Sequence, residues 1–265
     1  MGALRSCGWP ALVTLCTLSF VGCADPLRPS GPPAGSGDSR PYYPLAVGNR
    51  WVYARRYCVT VDSLGLRSSR VYPQVLEVQI QSDGAFSRGQ TYAAEGSRVG
   101  DAGFMPRTWH VNLLRQDSKG LYQMVPTVYL GEADRQPAGP TDGPGIDATR
   151  LVFPLRVGAE WVNQNGLHAR VEGMTPVSVP AGYFTTWRVA LELSSPSGKT
   201  FGHEWYGDVG VVKSESHWEY QDALRDSAGA QVGMKTVSIA DAYALQSIEL
   251  VGPPGRLLPV VMAWR

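Results

Sequence analysis

Cysteine is scarce in this 265-residue chain and badly placed for disulfides: Cys7, Cys16 and Cys23 fall near the start, leaving Cys58 alone in the body. No intramolecular bridge is expected there, and a leftover cysteine in "RRYCVTVD", a strand-like stretch, reads as a small core hydrophobe or as half of an intermolecular bridge. Charge of one sign is also lacking. The formal net charge is +1, so nothing marks a nucleic-acid partner, and the four lysines against twenty arginines read as codon composition rather than function. No segment of the body carries a capped 3.6-residue apolar period, so long amphipathic helices are not expected. The usual catalytic signatures are absent as well: there is no G-x-S-x-G, S-x-x-K, H-E-x-x-H or calcium-loop pattern. With 43% hydrophobic residues, the chain still has enough apolar material for one large domain or two small ones.

The N-terminus reads as an export signal. Arg5 and the free amine precede Ala11 to Val21 (ALVTLCTLSFV), which is signal-length and short for a membrane span. The run ends in Val21-Gly22-Cys23-Ala24, which resembles the lipobox of bacterial lipoproteins, with Phe20 where Leu is usual. That resemblance implies a diacylglycerol on the Cys23 thiol and Cys23 as the mature N-terminus. Acyl chains contribute about 0.8 kcal/mol per buried CH₂, so more than one chain gives a stable anchor. Cleavage after Ala24 and an uncleaved anchor are the alternatives. By resemblance to Gram-negative sorting, Ala24 rather than Asp after the cysteine favours the outer membrane over the inner.

Two Pro/Gly-rich runs organise the remainder. "ADPLRPSGPPAGSGDSRP" after Cys23 cannot bury apolar surface and reads as a tether; "GEADRQPAGPTDGPGIDATR" (Gly131 to Arg150) reads as a second linker or loop. The expected layout is a signal peptide over 1–22, lipidated Cys23 and linker over 23–41, a first β half over 42–130, the loop over 131–150 and a second β half over 151–265. The halves share a motif. "YYPLAVGNRWVY" (Tyr42 to Tyr53) returns as "VFPLRVGAEWVN" (Val152 to Asn163), matching at Pro44/Pro154, Leu45/Leu155, Val47/Val157, Gly48/Gly158, Trp51/Trp161 and Val52/Val162. Its mechanical reading is an extended segment set by Pro, a turn with positive φ at Gly, and a strand that begins with an inward Trp. A spacing near 110 residues suggests a duplicated subdomain rather than a solenoid.

Elsewhere the period is two. Leu76, Val78 and Ile80 share one face of "VLEVQIQ"; Trp109, Val111 and Leu113 share one face of "TWHVNLL"; Trp187, Val189, Leu191 and Leu193 share one face of "TTWRVALEL". Turn signals separate the runs at Asp83-Gly84, Asp117 to Gly120, Pro180 to Gly182, Ser194 to Gly198 and Gly207 to Gly210. The expected class is all-β: an antiparallel curved sheet or partly closed barrel built from two related halves.

The pieces "PLAVGNRW", "VSVPAGYFTTWRV" and "EWYGDVGVVKSE" together resemble an uncharacterised family of bacterial lipoproteins and secreted proteins with P-L-x-x-G-x-x-W, V-P-A-G-x-F and W-Y-x-x-x-V-G-x-V-K elements. The resemblance covers most of the chain after the tether. It implies a curved sheet or partly closed barrel, akin to periplasmic lipoprotein carriers in architecture, and it brings no catalytic residues.

Candidate sites are few. His110 and His168 read as surface residues, whereas His203 and His217 lie in "FGHEWYGDVGVVKSESHWEY", two strands around a turn with Glu204, Glu215 and Glu219 nearby. A site near His203, Glu204 and His217, metal-binding or enzymatic, is the second reading. The preferred reading is a non-enzymatic envelope lipoprotein that binds an apolar ligand or a protein partner. It has no catalytic residue, cofactor or resident metal, and it contacts the membrane through Cys23. The expected ligand pocket comprises Trp187, Phe201, His203, Trp205 and Trp218 on a concave aromatic face.

Overall fold

The computed structural model describes residues 42–87, 90–101, 105, 109–126, 145–163, 166–195, 198–225, 227–251 and 257–258. The signal segment, Cys23 and the tether lie outside the described residues. All described elements are strands: β1 (Arg50–Ser63), β2 (Leu66–Ser87), β3 (Gln90–Gly100), β4 (His110–Gln116), β5 (Gly120–Pro126), β6 (Gly145–Val152), β7 (Glu160–Val162), β8 (His168–Val179), β9 (Gly182–Ser195), β10 (Gly198–Gly207), β11 (Gly210–Arg225), β12 (Gln231–Val251) and the short β13 (Leu257–Leu258).

Every pairing is antiparallel, and the order is β6-β5-β4-β3-β2-β1-β12-β11-β10-β9-β8-β7, with β13 off the path on β12. Two six-strand meanders, β1–β6 and β7–β12, are thus joined where the first strand meets the last. That junction is long: β1 pairs with β12 from Arg50↔Glu249 to Ser63↔Lys235. Among the described residues no ladder joins β6 to β7, so the sheet curls into an almost closed barrel with one gap. The expected class of curved sheet or partly closed barrel is what the chain adopts.

The two copies of the motif form the same turn. Gly48 has φ +93° and Gly158 φ +79°, a conformation that glycine adopts without a steric penalty. In the first copy, Asn49 N–H donates to Ala46 C=O, Gly48 N–H donates to Ile80 C=O, and Ile80 N–H donates back to Asn49 C=O. In the second, Ala159 donates to Arg156, Gly158 to Val171, and Val171 back to Ala159. Each turn therefore docks on the second strand of the hairpin that it leads into.

The core lies inside the barrel. Trp51, Ile80, Leu114, Leu121, Leu151, Val189 and Leu245 are fully enclosed there. Trp51 alone removes about 200 Å² from water, on the order of 5 kcal/mol at about 25 cal/mol per Å². Its indole N–H donates to Val209 C=O at 2.6 Å, and Tyr53 Oη donates to Val211 C=O at 2.9 Å, so β1 is fastened across the interior to the β10–β11 turn. Gly210 in that turn has φ +105°, and a Cβ there would lie 3.2 Å from the Trp51 nitrogen, which is why the turn can approach so closely.

Three expectations need correction. Asp83-Gly84 is not a hairpin turn: β2 runs through it, with register shifts against β3 between Ile80 and Ala85 and φ +80° at Gly84, as a glycine bulge produces. The run Gly131 to Arg150 is not linker throughout, since its last six residues belong to β6, where Ala148 and Arg150 both line the interior two residues apart. The face assignment of β4 is reversed. Leu114 is fully buried and Asn112 faces inward with it, while Val111 is about half exposed and Trp109 lies outside, beneath the Arg98 guanidinium at 4.3 Å. The period of two was right there, and the assumption that the apolar set faces inward was not.

Candidate functional site

The gap between β6 and β7 opens on a polar interior. A cavity of about 300 Å³ lies there, with Ala148, Thr149 and Arg150 of β6 on one side and Trp161 and Asn163 at the end of β7 on the other. Glu95 of β3, Asn112 of β4, Gln123 of β5, Leu167, Ala169 of β8, Leu191 of β9 and Glu204 of β10 complete the wall. This volume is at the lower end of the range of about 300–1,000 Å³ usual for small-molecule pockets.

Strand alternation puts each polar group there. Glu95 lies opposite Asn112 in the β3–β4 register and two residues from Ala93, which faces the core. Glu204 lies opposite Val189 in the β9–β10 register and two residues before Tyr206, both of which belong to the core. The interior face thus carries carboxylates in phase with buried apolar side chains.

These groups are held by one another. Tyr43 Oη donates to Glu95; Asn112 Nδ2 donates to Glu95 at 3.4 Å, and Gln123 Nε2 donates to Asn112 Oδ1 at 3.1 Å. Arg150 pairs with Glu95 at 3.5 Å and lies 4.9 Å from the centre of the Tyr43 ring. Glu204 accepts from Tyr206 Oη. Burial, then the neighbouring carboxylates, push the Tyr43 and Tyr206 hydroxyls well above the usual phenol range, so both stay protonated and remain donors. Burial works against the charge on Arg150, but Glu95, Tyr43, Tyr206 and Glu204 together outweigh it and the guanidinium stays charged. Two carboxylates then face one guanidinium across the cavity.

The residues expected to form an aromatic pocket are divided between the two faces of the sheet. Trp187 packs on the interior core opposite Tyr206, and Trp218 follows the same inner face further along, opposite Thr200. Phe201, His203 and Trp205 lie on the outer face. Phe201 is about half exposed and stacks on His217 with ring centres 5.1 Å apart. His203 Nε2 lies 3.1 Å from Arg188 and 3.4 Å from Glu172, and Trp205 is covered by the Lys213 ammonium at 4.6 Å. Burial, then Arg188, hold the His203 imidazole below its ordinary value despite Glu172.

Neighbouring residues on a strand point to opposite faces, so Glu204 turns into the barrel while His203 and His217 turn out. The three do not converge, and among the described residues no cluster of three His, Cys, Asp or Glu is arranged to hold a metal ion. Cys58 is half-buried and free, on the outer face between Arg56 and Thr60.

Fold and interior together define an open, twelve-strand up-and-down barrel with a polar cavity at its gap. No family model matches the chain, and no curated protein matches it. Two solved structures are similar to it. One is a protein designated a lipoprotein from Parabacteroides distasonis ATCC 8503, at TM-score 0.39 and 12% identity over 78% of this chain and 97% of that one. The other is an exported protein with a YmcC-like fold from Bacteroides fragilis NCTC 9343, at TM-score 0.38 and 14% identity over the same shares.

Proposed function

We propose that this protein is a non-enzymatic lipoprotein of the bacterial envelope, anchored through Cys23, whose barrel binds a small ligand in the cavity at the β6/β7 gap. The observation that carries the binding role is the cavity itself: two carboxylates, a guanidinium and three carboxamides set among Ala148, Trp161, Leu167, Ala169 and Leu191, reached where, among the described residues, no ladder joins β6 to β7. Such a lining favours a polar ligand over the apolar one that the aromatic content first suggests, because an apolar molecule would strip water from these groups without replacing its hydrogen bonds.

The binding role is tested by filling the space. The protein is incubated with the small-molecule fraction of a bacterial envelope extract, washed and analysed by mass spectrometry beside Ala148→Phe, which places a ring among the lining residues. Retention by the native protein and loss in a folded variant supports the reading, and equal retention by both contradicts it. The anchor has its own test. Mass spectrometry of the mature N-terminus is expected to show a diacylated Cys23, and Cys23→Ala to release the protein to the soluble fraction; an unmodified terminus at Asp25 would overturn it.

A further inference from the structure

The charges in the cavity say more about the ligand than its size does. Glu95 is answered inside the protein: it pairs with Arg150 at 3.5 Å and accepts from Tyr43 and from Asn112. Glu204 is answered less fully. Among the described residues it accepts one hydrogen bond, from the neutral hydroxyl of Tyr206, and makes no ion-pair contact; Arg150, already paired with Glu95, acts on it only through space, and its carboxylate lines the same cavity. Its carboxylate is part-buried, with one oxygen held by a neutral hydroxyl and the remaining lone pairs facing the cavity.

We infer that the cavity takes a small organic cation, with an ammonium group placed against Glu204 and a hydrogen-bonding body reaching the carboxamides of Asn112, Gln123 and Asn163. This inference rests on the binding role proposed above and specifies its ligand class. Binding brings the cavity wall from two negative charges against one positive to balance. A neutral polyol leaves the excess negative charge in place, and an anion adds to it. Trp161 supplies an indole in the wall of the same cavity, and aromatic faces attract ammonium groups. The other charged cluster of this meander, around His203, differs in kind: Glu172, Arg188 and His203 satisfy one another on the outer surface and enclose no space.

The test uses three probes of similar size and different charge: ethanolamine, glycerol and glycolate. Each is titrated into the isotopically labelled protein while the Trp161 indole and the Asn112, Gln123 and Asn163 side-chain signals are followed by nuclear magnetic resonance. Ethanolamine is expected to shift these signals saturably, and Glu204→Gln to weaken it at least tenfold, while Glu172→Gln on the outer face leaves it unchanged. Should Glu204→Gln not fold, Trp161→Leu carries the test, with a several-fold loss expected for ethanolamine. If glycerol or glycolate binds as well as ethanolamine, or the folded Glu204→Gln protein retains ethanolamine undiminished, the cation assignment is wrong and the binding role stands. If none of the three probes moves the cavity signals, both fall.

Discussion

The first copy of the P-L-x-V-G-x-x-W-V motif leads into a fourteen-residue strand paired on both sides, whereas the second leads into three residues paired on one side. The turns are alike, down to their hydrogen bonds, so the divergence comes from what surrounds them. Trp51 is wholly enclosed, stacked on Tyr43 and bonded to Val209, while its counterpart Trp161 is half-buried against the cavity. Asn49 is also fully buried; its side chain donates to Pro44 C=O and accepts from Val251 N–H, tying the first turn to the end of β12. The second copy has Ala159 at that place and cannot make the tie. One copy closes the barrel and the other leaves it open, and the opening is where the polar cavity lies.

The largest expected effect separates the two tryptophans. Trp51→Ala should cost about 3–5 kcal/mol through lost burial and an unfilled cavity, read as a shift of the urea midpoint. Trp161→Ala should cost about 1 kcal/mol, in keeping with a half-exposed side chain. Equal losses would mean that the two copies bear the same structural load. Next in size, Asn49→Ala should destabilise by about 1–2 kcal/mol, because it leaves the part-buried Pro44 carbonyl and Val251 N–H bonds unmade. A loss within the error of the unfolding curve would remove Asn49 as the device that fixes the closed side.

The smallest effect concerns acid. In the first meander, burial pushes Glu77 up but hydrogen bonds from Arg50 and Arg98 outweigh it, so the carboxyl is held below its ordinary value of 4.5. Its contribution to stability is present above that value and is lost as pH falls through the lowered one. In the second meander His203 is held below 6.5. The unfolded chain therefore takes up this proton first, and stability declines as pH falls below 6.5 towards the lowered value. Chemical denaturation across pH should show the His203 decline first, and His203→Gln should abolish it while leaving the decline below 4.5. A decline near 6 that survives the substitution would assign it to another group.

Much of this comparison was legible before any coordinates. The repeated motif, its positive-φ glycines and the inward faces of Val78, Ile80, Val189 and Leu191 follow from spacing alone. The cavity did not, and the reason is physical. A binary pattern assumes that the interior is apolar, so Asn112 in phase with Leu114, Glu95 in phase with Ala93, and Glu204 in phase with Tyr206 read as surface groups or reverse a strand's apparent faces. Each was nevertheless a charged or amide residue two places from a core residue, which is the signal that could have marked a polar interior. β6 was hidden differently: Arg150 stands at the end of a Gly/Pro-rich run, and composition over twenty residues masked the alternation of the last few. The aromatic pocket failed as a unit because richness in Trp and Phe says nothing about which face each occupies.

Amide hydrogen exchange resolved by residue tests most directly whether the barrel is shut at β1/β12 and open at β6/β7. The β1 amides should exchange only through global unfolding, and the alternate β6 amides that do not bond to β5 should exchange at least about a hundredfold faster through solvent at the gap. Equal protection of β6 and β1, with β6 amides slowed as if paired on both sides, would contradict an open gap and the site placed there.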